Sequence, residues 1–364
     1  MIVKSLELSN FRNYENLSIE FSKGANILYG DNAQGKTNIL EGVYLCATTK
    51  SHRGSKDREV IMLEKEESHL RMIINRDGID RRIDMHLKKN KPKGVAIDGI
   101  PIKKSTELFG IINVVSFSPE DLSIIKSGPG ERRRFIDMEL CQLDRFYLHN
   151  LMNYNKVLNQ RNNLLKQIGF NRSLLDTIYV WDEQLIEYGK QVVDSRQKFV
   201  DELRDVVKDL HSRITCGKET LEVFYEPNTD VEQFVDRLGK SLERDIVLKS
   251  TSVGPHRDDL RFQINGIDIR KYGSQGQQRT SALSLKLAEI ELVKKRVKDQ
   301  PILLLDDVLS ELDRHRQHQL LDSIADIQTI VTCTGLEEFV KVRSATDNVY
   351  QVVNGEVFRQ ENNV

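Results

Sequence analysis

The sequence predicts an α/β protein whose mostly parallel sheet, with further antiparallel strands, is interrupted by a long inserted helical hairpin. The last third of the chain alternates short apolar runs with amphipathic stretches, a rhythm typical of parallel sheets. The first thirty residues alternate apolar and polar side chains in the manner of strands. Glycine and proline almost vanish from Glu131 to Thr215, where apolar residues recur in steps of three and four.

The first strands lead into a glycine loop. Apolar residues at Ile27 and Leu28 run into Gly30, and from Thr37 to Ala47 they recur at helical spacing. The loop therefore lies between a strand and a helix. Short apolar stretches between Ser68 and Val115, broken by turn residues, predict a meander of strands.

The middle of the chain predicts two long helices folded back on each other. The first apolar series runs from Leu140 to Ile168 and the second from Ile178 to Leu210, with Ser173 as the N-cap between them. Unbroken helices would each extend roughly 50 to 60 Å. An extended arm and a compact helical subdomain share this periodicity, and both interpretations are open at this point.

These patterns divide the chain into three segments. Residues 1–128 form the first part of a head, residues 129–220 form the helical hairpin, and residues 221–364 form the second part of the head. The elements expected in that last segment are a helix from about Gln278 to Lys298, a strand at Ile302–Leu305, a helix at His315–Ile324 and a strand at Thr329–Cys333.

Composition excludes several classes of protein. The 364 residues are 39% hydrophobic, but no apolar run approaches the roughly 20 residues that cross a bilayer. The N-terminus lacks the continuous apolar core of a secretory signal. The four cysteines are too widely spaced for a zinc or disulfide framework, so we expect reduced thiols. A cytoplasmic protein without a membrane partner is therefore predicted.

A net charge of −1 means that any nucleic-acid site must be a local basic patch. A solvated loop or helix face is an equally open interpretation of each basic cluster. The candidate DNA-binding residues are Arg53, Lys56, Arg132, Arg133 and Arg134, and a further basic cluster is the lysine-rich run from Lys88 to Lys93.

An unbroken match to the phosphate-binding loop pattern is the strongest signal in the chain. Its glycines allow backbone N–H groups to turn toward phosphate oxygens, and the helix that follows adds its positive dipole end. Lys36 would reach the β- and γ-phosphates of ATP, and the Thr37 hydroxyl would bind Mg²⁺. The loop consists of Gly30, Asp31, Asn32, Ala33, Gln34, Gly35, Lys36 and Thr37.

A buried strand that ends in two carboxylates completes the metal side of this predicted site. Ile302–Leu305 is followed by Asp306 and Asp307, and in parallel sheets ligands bind where such strands end. Asp306 would hold Mg²⁺ through water. Asp307 would orient or deprotonate the attacking water, and we predict it as a catalytic residue together with Lys36.

A third motif opens the helix that precedes this strand. Ser274, Gly276 and Gln277 begin the helix about thirty residues before Asp306, and free N–H groups at a helix start can bind an anion. The order and spacing match the signature motif of ATP-binding cassette (ABC) proteins. Asp313 then resembles the acid of the D-loop in the same class.

The chain resembles the RecF family, recombination mediators that are related to the structural-maintenance and Rad-type ABC ATPases. The similar blocks span nearly the whole chain in the family's order. They are 6–14 (LELSNFRNY), 117–122 (FSPEDL), 130–137 (GERRRFID), 254–260 (GPHRDDL), 274–280 (SQGQQRT) and 305–313 (LDDVLSELD).

This resemblance implies an ABC-type ATPase head of two lobes and a weak, Mg²⁺-dependent, DNA-stimulated ATPase. It implies that two subunits sandwich ATP, so that Ser274 and Gly276 of one copy complete the phosphate site of the other, and that Arg12 faces the nucleotide. It further implies that the ATP-bound homodimer binds duplex and gapped DNA, engages RecR, and helps RecA replace single-strand-binding protein.

Several features depart from the wider ABC class. Asp307 stands where transporters use Glu, and its shorter side chain predicts slow hydrolysis that acts as a timer. The segment Val331–Thr334 lacks a switch histidine, and Phe117–Asp121 lacks a lid glutamine. His256 is interpreted as part of a structural turn or lobe contact and not as a metal ligand.

Two alternative functions are open at this point, an ATPase subunit of a transporter and a non-hydrolysing ATP-binding scaffold.

Overall fold

The computed structural model describes residues 1–335 and 348–360. Its strands are Ile2–Phe11 (β1), Tyr14–Glu20 (β2), Ala25–Tyr29 (β3), Glu67–Arg76 (β4), Ile79–Lys88 (β5), Gly94–Ile97 (β6), Ile100–Pro101 (β7), Val114–Phe117 (β8), Leu221–Glu226 (β9), Asp259–Ile264 (β10), Ile267–Asp268 (β11), Ile302–Asp306 (β12), Thr329–Cys333 (β13), Asn348–Val353 (β14) and Glu356–Gln360 (β15). Its helices are Lys36–Thr48 (α1), Asp57–Val60 (α2), Leu122–Lys126 (α3), Pro129–Leu143 (α4), Arg145–Ile168 (α5), Ile178–Ile214 (α6), Phe234–Lys240 (α7), Leu242–Leu248 (α8), Ile269–Tyr272 (α9), Gln275–Val297 (α10) and Arg314–Ser323 (α11). Within these described ranges, no helix has both the length and the apolar character that a membrane span requires.

The chain divides into two compact units. The first contains Met1–Asp121 and Glu289–Val364, so both ends of the chain build it, and the second contains Leu122–Ala288. Residues 221–288 thus group with the helical segment, whereas the sequence prediction placed them in the head. The reason is packing, because β9 and β10 pair with each other, β9 packs against α6, and β10 packs against α4.

The first unit holds two six-stranded sheets. One has the strand order β15-β14-β3-β13-β12-β8, and its neighbours are parallel except for the pair β14 and β15. The other has the order β2-β1-β4-β5-β6-β7 and is antiparallel throughout. The predicted fold class is therefore confirmed. The predicted meander ends at β7, because β8 joins the parallel sheet.

Helix α1 contacts strands of both sheets, β1, β4 and β5 in one and β8, β12 and β13 in the other. Every residue from Ile39 to Thr48 is buried. A helix that is enclosed on all sides has no polar face, which explains why its apolar residues do not form a single stripe. The glycine loop at its start is consequently attached to a well-packed element.

The second unit contains the predicted hairpin. Helix α5 has 24 residues and α6 has 37, and a rise of about 1.5 Å per residue makes them roughly 36 and 55 Å long. The two helices pack along each other, α8 packs on α5, and β9 packs on α6. A buried cluster of Leu165, Ile168, Ile178 and Ile246 adds a small core near the turn. The hairpin is therefore part of a compact unit and not an isolated arm.

The first predicted long helix is two helices, because Asp144 ends α4 and caps α5. Its carboxylate accepts hydrogen bonds from the N–H groups of Phe146 at 2.8 Å and Tyr147 at 3.2 Å, as an N-cap residue does. Ser173 is not the N-cap of α6. Its N–H donates to the Asn171 side chain at 3.1 Å in a short 3₁₀ segment, and α6 begins only at Ile178.

A buried guanidinium joins the elements of the second unit. The Arg196 side chain, 2% exposed on α6, contacts Asp258 Oδ2 at 2.8 Å and Asp137 Oδ1 at 2.7 Å. Asp137 lies on α4 and Asp258 directly precedes β10, so the two ion pairs connect three elements. Asp258 also accepts hydrogen bonds from the Asn228 N–H at 2.7 Å and from the Tyr225 hydroxyl. The buried charges thus have the partners that their desolvation requires.

The neighbouring His256 has contacts that fit a structural turn, which is one of the two roles considered for it from the sequence. Its Nε2 lies 2.9 Å from the Thr251 carbonyl, which can only accept, so Nε2 carries the proton and Nδ1 accepts from the Tyr154 hydroxyl at 2.7 Å. Burial lowers the pKa of His256 to about 4, and the ring is neutral at pH 7. Among the residues that the structure describes, no metal-ligand cluster includes this block.

Replacing Arg196 with leucine should strongly destabilise the second unit. The change leaves Asp258, whose side chain is 1% exposed, buried without its cation. Such an uncompensated charge lowers the free energy of unfolding by about 3–5 kcal/mol, which urea unfolding followed by circular dichroism would measure. The matched control is Arg172→Leu, because Arg172 and Glu243 form an ion pair with both side chains 72% exposed. Exposed pairs contribute less than about 1 kcal/mol, so equal losses would contradict the role of the buried network.

Candidate functional site

The glycine loop, residues 30–37, connects β3 to α1. Gly30 has a φ of 150° and Gly35 a φ of 115°. A Cβ atom at Gly30 would lie 2.3 Å from the Val352 carbonyl oxygen, and one at Gly35 would lie 2.6 Å from Asn13 Nδ2. Both positions therefore require glycine on steric grounds. The path of the loop is determined by neighbours that press on it.

The Lys36 side chain lies over this loop. It is 7% exposed, and its Nζ donates to the carbonyl oxygens of Gly30 at 2.5 Å and Asp31 at 2.7 Å. Burial lowers the pKa of Lys36, and the nearby charge of Asp307 opposes that shift without reversing it. A desolvated ammonium group interacts strongly with an anionic ligand, because charge-assisted hydrogen bonds strengthen when water is excluded.

Three side chains meet at the carboxyl ends of β12 and β13. Asp306 accepts hydrogen bonds from the Thr37 hydroxyl at 2.8 Å and from the Thr332 hydroxyl at 2.7 Å. The Thr332 oxygen in turn accepts from the N–H of Asp307 at 3.0 Å, where the backbone is left-handed with a φ of 52°. The Thr37 hydroxyl and the Asp306 carboxylate provide adjacent hard oxygen ligands, and this donor set fits Mg²⁺.

These groups line one cavity of about 300 Å³, whose walls come entirely from the first unit. Arg53 is exposed at this cavity. The sequence had suggested Arg53 as a DNA contact, but the structure places it beside the predicted phosphate site. The lining residues are Asn32, Ala33, Gln34, Gly35, Lys36, Thr37, Asn38, Arg53, Asp306, Asp307 and Thr332.

The outer side of the loop is held at Gln34. The Gln34 carbonyl accepts hydrogen bonds from Asn13 Nδ2 at 3.0 Å and from the N–H of Gly355 at 3.2 Å. The Gln34 side chain also accepts from the N–H of Asn354 at 2.5 Å. Because a trans peptide directs its C=O and N–H to opposite sides, these contacts turn the N–H of Gly35 toward the cavity. The turn between β14 and β15 thus orients a backbone donor of the loop.

Arg12, which was expected to face the nucleotide, is paired within the first unit. Its guanidinium contacts Glu41 at 2.7 and 2.8 Å and donates to Ser55 Oγ at 2.6 Å. Burial raises the pKa of Glu41, but hydrogen bonds from Arg12 and Ser51 outweigh burial, and the net shift is downward. Arg12 is not among the residues that line the cavity. It connects α1 to the segment that carries Arg53, and its contact with nucleotide stays a prediction.

The signature residues lie in the second unit, at the start of α10. Ser274 and Gly276 are exposed. The Ser274 Oγ accepts from the N–H of Gln277 at 3.2 Å, and Gln277 Oε1 accepts from the N–H of Ser274 at 2.9 Å, which is a capping box. Gln277 Nε2 also donates to Glu219 at 3.0 Å. This leaves the exposed start of the helix in a defined conformation.

The arginine triplet does not form one basic surface, because successive residues of a helix point in different directions. Arg132 is 1% exposed and paired with Asp259 at 2.5 Å. Arg133 donates to the Asp258 carbonyl at 2.6 Å, and only Arg134 is exposed. The structure thus removes Arg132 from any surface patch for DNA.

The other predicted basic residues differ in their surroundings. Lys56 is exposed. In the lysine-rich run, Lys88, Lys89 and Lys93 each form an ion pair with a carboxylate, at 2.9, 3.2 and 2.8 Å. These pairs reduce the net positive charge that the run presents to a polyanion.

Asp313, the predicted D-loop acid, is exposed and caps α11. Its Oδ1 accepts from the N–H of Arg316 at 3.0 Å.

Thr332 is a site residue that the motifs missed. The signal was present in the sequence, because a polar residue interrupts the apolar run of Thr329–Cys333 beside the strand that ends in two carboxylates.

Comparisons with known proteins agree with this geometry. A sequence profile of the RecF/RecN/SMC N-terminal domain family matches residues 2–357. The chain is 73% identical over 357 residues to the DNA replication and repair protein RecF of Lachnoclostridium phytofermentans, covering 98% of this chain and 99% of that protein. It is 61% identical over 357 residues to the RecF of Agathobacter rectalis, with 98% and 99% covered.

Solved structures give the same result at the level of the fold. The structure of the recombination mediator protein RecF with ATP, in the RecFOR pathway, superposes with a TM-score of 0.92 at 36% identity, covering 99% of this chain and 97% of that chain. An Smc head bound to the C-terminal winged-helix domain of ScpA superposes with a TM-score of 0.57 at 16% identity, covering 100% of this chain and 98% of that chain. The second likeness concerns the fold alone.

Replacing Gly355 with alanine should weaken ATP binding roughly three- to tenfold, the loss expected for one or two hydrogen bonds. A Cβ atom there would meet the Asn13 carbonyl oxygen at 3.1 Å and displace the turn from Gln34. Titration with a fluorescent ATP analogue measures the change. The control is Gly78→Ala, which has the same φ of 80° but no neighbour within 4 Å of the added atom. If both variants lose affinity equally, backbone strain and not the loop contact is responsible.

Proposed function

The chain belongs to the RecF family, and on that premise we propose that it is an ATP-dependent, DNA-binding recombination mediator in DNA repair and replication restart. The observation that carries the proposal is the meeting of Thr37, Asp306 and Thr332 beside the glycine loop, at 2.8 and 2.7 Å. Chain segments nearly 300 residues apart converge there on one set of oxygen atoms. Such a convergence supports nucleotide chemistry more strongly than the loop pattern alone.

In the proposed site, the loop binds the phosphates of ATP through its backbone N–H groups. Lys36 neutralises charge on the β- and γ-phosphates. Thr37 and, through water, Asp306 would hold Mg²⁺, which supplies charge stabilisation to the phosphates when it is bound. Arg53, exposed at the same cavity, adds a second cation.

Asp307 is proposed to orient the attacking water and to accept its proton. Its carboxylate is one methylene shorter than glutamate, and the backbone that carries it is left-handed. A short base on a constrained backbone has few positions from which to reach a water molecule, which supports slow turnover. We therefore propose a weak ATPase that resets a binding state.

The binding state is proposed to be an ATP-bound homodimer. All residues that line the phosphate cavity come from the first unit, while Ser274 and Gly276 are exposed in the second unit. In the proposed dimer they contact the phosphates bound by the other copy, with N–H groups at the start of α10 facing the anion.

The proposed ligand of this dimer is duplex DNA, in particular duplex next to a single-stranded gap. RecR is the proposed protein partner, with RecA loading in place of single-strand-binding protein as the outcome. Among the predicted DNA contacts, Arg134 and Lys56 are exposed, each in a different unit, and both stay candidates. Binding of gapped and plain duplex with ATP, with ADP and without nucleotide tests this function, and the proposal requires tighter binding with ATP.

A non-hydrolysing scaffold is the second candidate function, and the short side chain of Asp307 is the feature that favours it. Phosphate release above that of a Lys36→Ala variant separates the two functions. The Lys36 variant loses charge-assisted contacts of about 1.5 to 3 kcal/mol each. The relatives of this chain do not support the transporter alternative. The two that were compared above are both DNA replication and repair proteins.

Replacing Asp307 with asparagine should lower phosphate release roughly a hundredfold or more, the usual contribution of a general base. The amide keeps the size of the side chain, so ATP should still bind and hold the dimer on DNA. Dissociation from a gapped duplex, measured with ATP present, should slow in parallel. Lys36→Ala is the control and should show no ATP-dependent retention. Equal DNA affinity of the wild-type protein with and without ATP would contradict the proposal.

Replacing Thr332 with valine should reduce the turnover number roughly tenfold, because the change leaves the N–H of Asp307 without its acceptor and the Asp306 carboxylate without one of its donors. ATP affinity should change little, and Thr332→Ser should restore turnover. Thr329→Val is the matched control on the same strand, since that buried hydroxyl donates to the Ile327 carbonyl, away from the site. Steady-state kinetics separates the turnover number from KM. The assigned role fails if both valine variants behave alike.

A further inference from the structure

Two imidazoles and a carboxylate lie together on the outer face of the antiparallel sheet. Glu67 and His69 are two apart on β4 and share a face, while Ser68 and Leu70 between and beyond them are buried. His69 and His86 are direct cross-strand partners on β4 and β5. Their rings stack with centroids 4.0 Å apart and planes 17° apart.

The potential ligand atoms of this cluster are close. The Nε2 of His86 lies 3.2 Å from one Glu67 oxygen, and the Nε2 of His69 lies 4.0 Å from the other. One atom from each of the three side chains lies within 4.8 Å of the others, and no second group of this kind occurs among the described residues. The side chains are 41% to 54% exposed, and both histidines line a surface cavity of about 440 Å³. A solvated ion can therefore reach them.

We propose that Glu67, His69 and His86 bind one divalent cation of the Zn²⁺ type. Imidazole nitrogen and carboxylate oxygen are ligands that Zn²⁺ accepts at about 2.0–2.2 Å, with water in the fourth position. Such ligands lie roughly 3.4 Å apart in a tetrahedral site. The contact between His86 and Glu67 already has this length, and His69 approaches when its ring turns about χ2, a torsion with broad minima. The backbone of the two strands does not have to move.

Lys88 is the competitor for this site. It is the cross-strand partner of Glu67, and its ammonium lies 2.9 Å from the same Glu67 oxygen that faces His86. A bound dication would displace the ammonium, and the side chain, 42% exposed, has room to leave. Lys88 therefore weakens cation binding both by occupying the carboxylate and by repulsion. Its removal should have the opposite effect from removal of a ligand.

The bound cation would connect β4 to β5 through their side chains. Because it binds only where these strands are paired, it stabilises the folded first unit in proportion to its concentration. The residues involved are not among those that line the phosphate cavity, so this proposal does not depend on the nucleotide site.

The test is a titration of the full-length, nucleotide-free protein with Zn²⁺ by calorimetry, together with its thermal midpoint. The parent protein in this test is the Cys216→Ser variant, because that exposed thiol could bind zinc by itself. All other variants are made in this parent. One Zn²⁺ should bind per chain, and His69→Ala and His86→Ala should each weaken binding by at least about tenfold. Lys88→Gln should tighten it. His149→Ala, an exposed histidine on α5, should bind Zn²⁺ as the parent does.

The tighter zinc binding expected of Lys88→Gln keeps the test decisive even if a histidine variant folds poorly. Equal zinc affinity in the parent and in the double variant His69→Ala/His86→Ala would overturn the proposal, as would the absence of uptake by both the parent and Lys88→Gln. A thermal midpoint that rises with Zn²⁺ in the parent but not in the double variant would support it.

Discussion

The parallel register of β3, β13 and β12 is the constraint on which the candidate site depends. In this register Tyr29 pairs with Cys333, and Thr332 pairs with Asp306. The carboxyl ends of the three strands therefore meet at one edge of the sheet. That edge receives the glycine loop from β3, two carboxylates from β12 and a hydroxyl from β13. A shift of one residue in β12 would turn Asp306 to the other face, and its contact with Thr37 would be lost.

A second constraint acts on the outer side of the loop. Strand β14 pairs with β3 in parallel, and the Val352 carbonyl excludes any side chain at Gly30. The turn that follows β14 holds the Gln34 carbonyl. An element that contributes no side chain to the cavity thus controls which backbone donors face it. The phosphate loop pattern describes eight residues, but its conformation requires neighbours more than 300 positions away.

Local patterns in the sequence predicted those parts of the fold that depend on local periodicity. The strand Thr329–Cys333 and the helix that opens near Gln278 were predicted because neighbouring side chains report which face is buried. The break at Asp144 was missed, since an N-cap inside a continuous apolar repeat leaves the repeat intact. The triplet at Arg132 was misjudged for a related reason. A run of like charges predicts a patch only if the backbone keeps the charges on one face, and a helix distributes them.

Long-range pairing accounts for the remaining differences. Nothing near Arg196 in the sequence indicates that its partners are Asp137 and Asp258, so neither the buried network nor the grouping of residues 221–288 with the helices could be predicted. The glycine loop and the acidic strand were recognisable because phosphate and metal chemistry impose residue types at fixed spacing. Arg53 carries no such spacing, and its place at the cavity follows from the path of the chain after α1.

A single hydroxyl on β13 connects the two acidic residues at the end of β12. Thr332 donates to Asp306 and accepts from the N–H of Asp307. The first contact fixes the carboxylate next to the loop, and the second supports a backbone conformation that non-glycine residues rarely adopt. The direction of the Asp307 side chain therefore depends on a hydrogen bond from the neighbouring strand. Any displacement of the end of β13 would move the Asp307 carboxylate relative to the glycine loop. In such an arrangement the position of the Asp307 carboxylate is set by the pairing of two strands as well as by its own side chain.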